Sequence, residues 1–139
     1  EVMTVVLVMG ILAAIAIPNY QDYVRRAISS EAPPILADAR TKLEQHFLDN
    51  RTYAATSGST TCGGFGSVPI PTTSHFTYAC AVANTTPALT YTITATGSSG
   101  PVTGDVYTIN ESNQKRTNTF KGTTYGTAKS CWIIRGSEC

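Results

Sequence analysis

The sequence predicts an α+β fold: one long N-terminal helix, apolar in its first half and amphipathic in its second, packed on an antiparallel β-sheet of about four strands. Three observations carry this. Residues 2 to 17 are almost wholly apolar, interrupted only by Thr4 and Gly10. Apolar residues then recur at three- and four-residue spacing as far as Phe47. Beyond about residue 50 the chain is rich in Thr, Ser and Gly, with short stretches of period-two alternation. The 139 residues suit a single domain, and a net charge of +1 supplies no long-range field for nucleic acid.

The first element, "VMTVVLVMGILAAIAI" (2–17), is a little short of the roughly 20 residues that cross a bilayer as a helix. A secretory signal peptide is the competing reading. Against it, no basic stretch precedes the run, no small-x-small cleavage site follows it, and the chain continues into a polar helical pattern. Gly10 and Pro18 mark weak points in the helical hydrogen-bond ladder. Arg25 and Arg26 would hold this flank in the cytoplasm, whereas four downstream cysteines place the following domain outside. The cysteines are the stronger signal, because two arginines specify topology weakly.

The amphipathic half carries Ile28, Ala32, Ile35, Leu36, Ala39, Leu43 and Phe47 on one face, and Arg40, Lys42, Glu44 and Asp49 on the other. Pro33-Pro34 predicts a bend or break near 30–34, with Ser30 capping the restart. In "LTYTITATG" (89–97), Leu89, Tyr91, Ile93 and Ala95 share one strand face. In "HFTYACAVA" (75–83), Phe76, Tyr78, Cys80 and Val82 do so. "DVYTIN" (105–110) and "KRTNTF" (115–120) read as a pair around "ESNQ", and "SCWII" (130–134) as a further short strand or extended segment. Gly-, Ser- and Pro-rich stretches at 54–74 and 97–104 read as loops.

Cys62, Cys80, Cys131 and Cys139 permit three pairings. Cys62–Cys80 with Cys131–Cys139 is favoured, because each bridge closes a short loop; a Cys62–Cys131 bridge would overturn it. A zinc site is the weaker alternative, since no CxxC occurs. The chain carries no GxSxG, P-loop or HExxH pattern. His46 and His75 read as exposed or interfacial, and neither catalysis nor a cofactor or metal is expected.

Glu1, the apolar run, "GILAAIAIPNYQDYVRR" (10–26) and the helix after them resemble the N-terminus of a type IV pilin of the type IVa kind. The similarity is closest over residues 1 to 26, and continues through "LEQHFLDNRTY" (43–53) and the four-cysteine C-terminal part. The resemblance implies the helix-plus-sheet pilin roll, storage in the inner membrane and polymerisation into an extracellular filament for adhesion, twitching motility or DNA uptake. It divides the chain at residue 25: a membrane anchor and filament core at 1–25, then a globular domain at 26–139. The globular part comprises an amphipathic helix to about 50, a loop to about 74, the sheet to about 120 and a C-terminal disulfide loop at 121–139. Cys131–Cys139 is similar to the C-terminal bridge of pilins.

The resemblance also implies that the mature chain starts four residues before Glu1, after a prepilin peptidase removes a basic leader. Glu1 would then sit beside the N-terminal amine of a neighbouring subunit, which offsets the cost of a carboxylate in an apolar setting and sets axial register. A helix-end acid among lipid headgroups is the simpler reading, and suits the membrane-stored monomer. Gly10 to Pro18 would unwind in the filament. Other copies of this chain, a platform protein, assembly and retraction ATPases and minor pilins are the implied partners. The competing readings are a minor pilin that primes or decorates the filament, a pseudopilin of type II secretion, and a monomeric membrane-anchored binding module.

Lys115, Arg116, Lys121, Lys129 and Arg135, with Tyr125 and Trp132 among them, suit DNA capture. A solvated sheet edge is the favoured reading, because acids at 105, 111 and 138 dilute the patch. Asn50-Arg51-Thr52, Asn84-Thr85-Thr86 and Asn110-Glu111-Ser112 match the glycosylation sequon, a pattern frequent by chance.

Overall fold

The computed structural model describes residues 2–72 and 74–139. Helix α1 spans Val2–Ser29 and runs unbroken past position 18. Helix α2 spans Ala32–Asn50. Only Ser30 and Glu31 separate them, and the turn stays hydrogen-bonded: Ser30 N donates to Arg26 O at 3.1 Å, and Glu31 N to Ile28 O at 3.0 Å. Pro33 and Pro34 lie in the first turn of α2, where N–H groups have no acceptor within the helix, so their missing donors cost little. Ser30 does not cap the restart. Its hydroxyl donates back to Ala27 O at 2.6 Å, satisfying a carbonyl of the preceding turn. Glu31 holds the cap position without a side-chain cap, because its carboxylate takes the N–H and ring of His75 instead.

The rest of the head is an antiparallel meander of five strands in sequential order. They are β1 (Phe76–Val82), β2 (Tyr91–Gly97), β3 (Val106–Asn110), β4 (Lys115–Phe120) and β5 (Thr123–Lys129). The fifth strand corrects the expectation of about four. Its sequence, TTYGTAK, is largely exposed on both faces, so it carries no apolar alternation to betray it. "SCWII" (130–134) is irregular rather than a strand, because sheet side chains take its backbone groups. Thr117 Oγ1 donates to Cys131 O at 2.7 Å and accepts from Ile133 N at 2.9 Å, while Tyr107 OH donates to Ile133 O at 2.8 Å. Leu89 precedes β2 and is exposed, whereas Tyr91, Ile93 and Ala95 face the core.

The core lies between α2 and one sheet face. Ala32, Leu36, Ala39 and Leu43 are fully buried, against Ile93, Ala95, Tyr107, Ile109 and Ile133. Ile28, Ile35 and Phe47 pack at its margin. The sheet's opposite face carries Thr92, Thr94, Thr108 and Asn110, so the β2 and β3 strands read apolar inward and polar outward.

Fully buried aliphatics should carry most of the head's stability. Leu43→Ala or Ile93→Ala should cost about 2–5 kcal/mol, and Leu89→Ala under about 0.5 kcal/mol. Denaturant unfolding of the detergent-solubilised chain measures the difference.

Candidate assembly and ligand surfaces

Among the described residues, the large apolar side chains in the first half of α1 stay exposed. Among its large apolar side chains from Val2 to Ile17, exposure runs from 53% at Val8 to 88% at Met3. The helix is long and apolar enough to cross a membrane. Such a surface is too large and too apolar to face water. Gly10 lies in open space, with no atom near where a side chain would start. Glu1 lies outside the described residues.

The head grips α1 only near its C-terminal end, and does so with charge. Arg25 Nη2 donates to both carboxylate oxygens of Asp105, at 2.7 and 2.8 Å. Asp105 is fully buried and also accepts from Lys121 N at 2.9 Å. The Arg25 guanidinium lies over the Phe120 ring. One turn earlier, Asp22 meets Lys121 Nζ at 2.7 Å. The Lys121 ammonium beside it lowers the Asp22 carboxyl below its ordinary value.

Local chain geometry places Asp105. The 97–105 loop folds on itself through Gly97 N to Asp105 O at 2.8 Å and Gly104 N to Gly97 O at 2.9 Å. A side chain at Gly97 would run into the Val102 carbonyl, so glycine is required there. Sequence reasoning used Arg25 as a topology flank and Asp105 as a diluting acid. The two are 80 residues apart, and no local pattern links them.

A partly exposed carboxylate joins two buried tyrosines at the margin of the head. Glu44 accepts from Tyr53 OH at 3.1 Å and from Tyr91 OH at 3.2 Å. Phe47 stacks on Tyr53, which meets Tyr91 edge-on. Burial, followed by the hydrogen bond to the Glu44 carboxylate, pushes the Tyr53 phenol up to about 12. Burial and the Glu44 charge push Tyr91 up as well.

Disulfides join Cys62 to Cys80 and Cys131 to Cys139, each with Cα atoms 5.8 Å apart. The first ties the 54–62 loop to β1, alongside a Thr61–Ala81 bridge that covers part of that strand's edge. Among the described residues no group of three His, Cys, Asp or Glu side chains converges as a metal site. His46 Nε2 lies 3.1 Å from Ala54 O, and His75 is half-buried against Glu31.

The basic residues of the last quarter do not form one patch. Lys121 is committed to Asp22, and Lys129 to Glu138 at 2.9 Å and to the Tyr125 ring. Trp132 Nε1 donates to Thr108 O at 2.9 Å, with Lys115 Nζ over its ring. Arg116 and Arg135 stay exposed. Of the diluting acids, Asp105 and Glu138 are neutralised by cations, and Glu111 accepts from Tyr91 N. Among the sequons, the Asn50 amide donates to His46 O and Asn110 is tied to Gln114, while Asn84 is exposed.

A bare apolar helix bearing a disulfide-braced α+β head defines a helix-anchored subunit whose helix needs lipid or other helices around it. Comparison with known proteins makes the class specific. The model of a family described as "Type IV minor pilin ComP, DNA uptake sequence receptor" matches residues 18–106. The chain is 35% identical over 91 residues to "Prepilin peptidase-dependent protein D" of Escherichia coli (strain K12), covering 65% of this chain and 58% of that protein. It is 37% identical over 70 residues to a "Fimbrial protein" of Neisseria meningitidis, covering 46% of this chain and 41% of the relative. It is 45% identical over 51 residues to a "Type IV major fimbrial protein FimA" of Dichelobacter nodosus, covering 37% and 33%. The matches thus span between a third and somewhat over half of these relatives' lengths. This chain belongs to the type IV pilin family.

The junction and the tyrosine cluster each yield a test. Asp105→Ala removes both hydrogen-bond acceptors of the Arg25 guanidinium in a largely buried site and should cost about 3–5 kcal/mol, whereas exposed Lys121→Ala should cost under about 1 kcal/mol. Denaturant midpoints of the two variants separate them. The fold favours the neutral phenols, so their contribution is complete below pH 10, the ordinary tyrosine value, and is lost as pH rises towards about 12. Stability measured across that range should fall, and Tyr53→Phe should flatten the fall.

Proposed function

We propose that this chain is a structural subunit of a type IV pilus, held in the inner membrane by α1 and then polymerised into an extracellular filament. The observation that carries the reading is the uncovered apolar half of α1 in a chain of the pilin family. In the monomer, lipid covers that surface; in the filament, the same segments of neighbouring copies do. The subunit then carries out no chemistry of its own. Prepilin peptidase processes it, and a platform protein with assembly and retraction ATPases moves it.

Glu1 serves as the registration residue. Beside the N-terminal amine of the next copy its charge is compensated, so helices slide into one axial position rather than many. Gly10 to Pro18 is the segment that loosens on assembly. The unbroken helix of the isolated subunit is its unassembled form, and the two ladder weak points make it the easiest to extend.

A second reading is a minor pilin that takes up DNA. It is favoured by the description of the matching family, "DNA uptake sequence receptor". The matched segment ends at residue 106, before Lys115, Arg116, Lys121, Lys129, Trp132 and Arg135, so any DNA surface there rests on this chain's own residues.

Glu1→Ala should abolish or sharply reduce filaments while leaving the membrane level of the chain unchanged; normal filaments would overturn the registration role. Filaments sheared from cells, imaged by electron cryo-microscopy and analysed by mass spectrometry, separate the two readings. A repeating subunit of this chain makes it the major pilin. A trace component whose deletion removes DNA uptake but leaves filaments makes it the minor one, and its complete absence from filaments leaves an anchored module.

A further inference from the structure

The sheet face turned away from α2 holds an open groove of mostly uncharged polar side chains. Thr92 stands opposite Asn110 across β2 and β3, and Thr108 opposite Arg116 across β3 and β4. Gln114 and Asn118 complete its polar lining. Among the described residues Arg116 is the one charged side chain lining this groove, and no carboxylate lines it.

The groove is preorganised at its cationic end. Gln114 Oε1 accepts from Asn110 Nδ2 at 3.0 Å and from Arg116 Nη2 at 3.4 Å, and Gln114 N donates to Asn110 Oδ1 at 2.9 Å. Arg25, Arg40, Lys121 and Lys129 each pair with a carboxylate. Arg116 pairs with none among the described residues and keeps most of its guanidinium donors free.

We propose that this groove binds a carboxylate-bearing saccharide, with the sugar carboxylate on Arg116 and the ring hydroxyls on Thr108, Asn110, Gln114 and Asn118. A guanidinium fork matches a carboxylate with two parallel hydrogen bonds. Amides and hydroxyls both donate and accept, as sugar hydroxyls do. One cation among neutral partners suits a ligand with one negative charge per polar unit. A nucleic acid wants a track of cations and aromatic faces for its bases. Among the described residues no aromatic ring lines this groove, and neighbouring Trp132 has its N–H bonded to Thr108 O and its ring under Lys115. Where the ligand is met rests on the pilus reading: helices bundled inward turn this face outward. Binding itself does not need the filament.

The test is titration calorimetry on the full chain in neutral detergent micelles, with a tetrasaccharide of galacturonic acid, a neutral maltotetraose and a short single-stranded DNA. The acidic tetrasaccharide should bind, and the neutral one at least about tenfold more weakly. Arg116→Gln should weaken the acidic ligand by about tenfold or more, as loss of a charge-assisted contact implies. Asn118→Ala should weaken both saccharides, and Arg135→Gln should change neither. Three results overturn the inference: no binding of the acidic tetrasaccharide, equal binding by the Arg116→Gln chain, or tighter DNA binding lost with the same substitution. The last assigns the groove to nucleic acid. None depends on filament formation, so a failure here and a failure of the pilus reading are distinguishable.

Discussion

Sixteen residues of α1, from Val2 to Ile17, are bound to a head that never reaches them. At the usual worth of apolar burial, about 25 cal/mol per Å², leaving this surface in water would cost far more than one small domain's stability. The helix must therefore be covered from outside the chain. Lipid and the helices of other copies are equally apolar, so exchange between them changes little in hydrophobic free energy. A subunit built this way is suited to moving from one cover to the other without refolding its head. That follows from the exposure of the large apolar side chains along this half of the helix, and it constrains the rest of the molecule.

The first consequence appears where helix meets head. Whatever surrounds α1, its position reaches the sheet through its C-terminal turns. Those turns are fastened by Arg25 on buried Asp105, backed by Phe120, and by Asp22 on Lys121. A buried pair of this kind adds little net stability beside a well-packed apolar contact, yet removing one partner is costly. It also tolerates only one register of helix against strand, because the carboxylate is held by the Lys121 N–H as well. Arg25 and Asp105 therefore set orientation more than they set stability. The Ser30–Glu31 turn serves the same end, since it passes the chain into α2 with its backbone still bonded.

The second consequence concerns the head's remaining surface. With α2 spent on the core and the first half of α1 left without cover from the head, the outer sheet face and the C-terminal loop are the head's remaining surfaces. The loop is held by backbone bonds to Thr117 and Tyr107, and is closed by the Cys131–Cys139 bridge. Each short disulfide loop contributes about 2–4 kcal/mol by restricting the unfolded chain. The outer face is left as Thr, Asn, Gln and a single free guanidinium, a surface that stays soluble while offering directional hydrogen bonds.

Local pattern was enough for the apolar run, the amphipathic stripe from Ile28 to Phe47, the break at the proline pair and the strand faces of Phe76–Val82 and Tyr91–Ala95. In each of these, burial repeats at the period of its own element, so neighbours in sequence carry the signal. Pattern failed at β5, where an edge strand exposed on both faces has no period to read. It failed at Ser30, whose hydroxyl donates back to Ala27 O instead of accepting from the restarting helix, and it left "SCWII" between a short strand and an extended segment, which hydrogen bonds from Thr117 and Tyr107 resolve as irregular. Arg25 and Asp105 met only in the folded molecule, as did Thr92 and Arg116 in the lining of one groove, because charge pairing and groove lining depend on which strands lie side by side. By itself, then, the sequence determined which segments are apolar, where the helix turns and what class of subunit it builds. Tertiary structure decided which charges are spent holding α1 to the head and which are left unpaired on the surface, since pairing is a matter of distance in space and not along the chain.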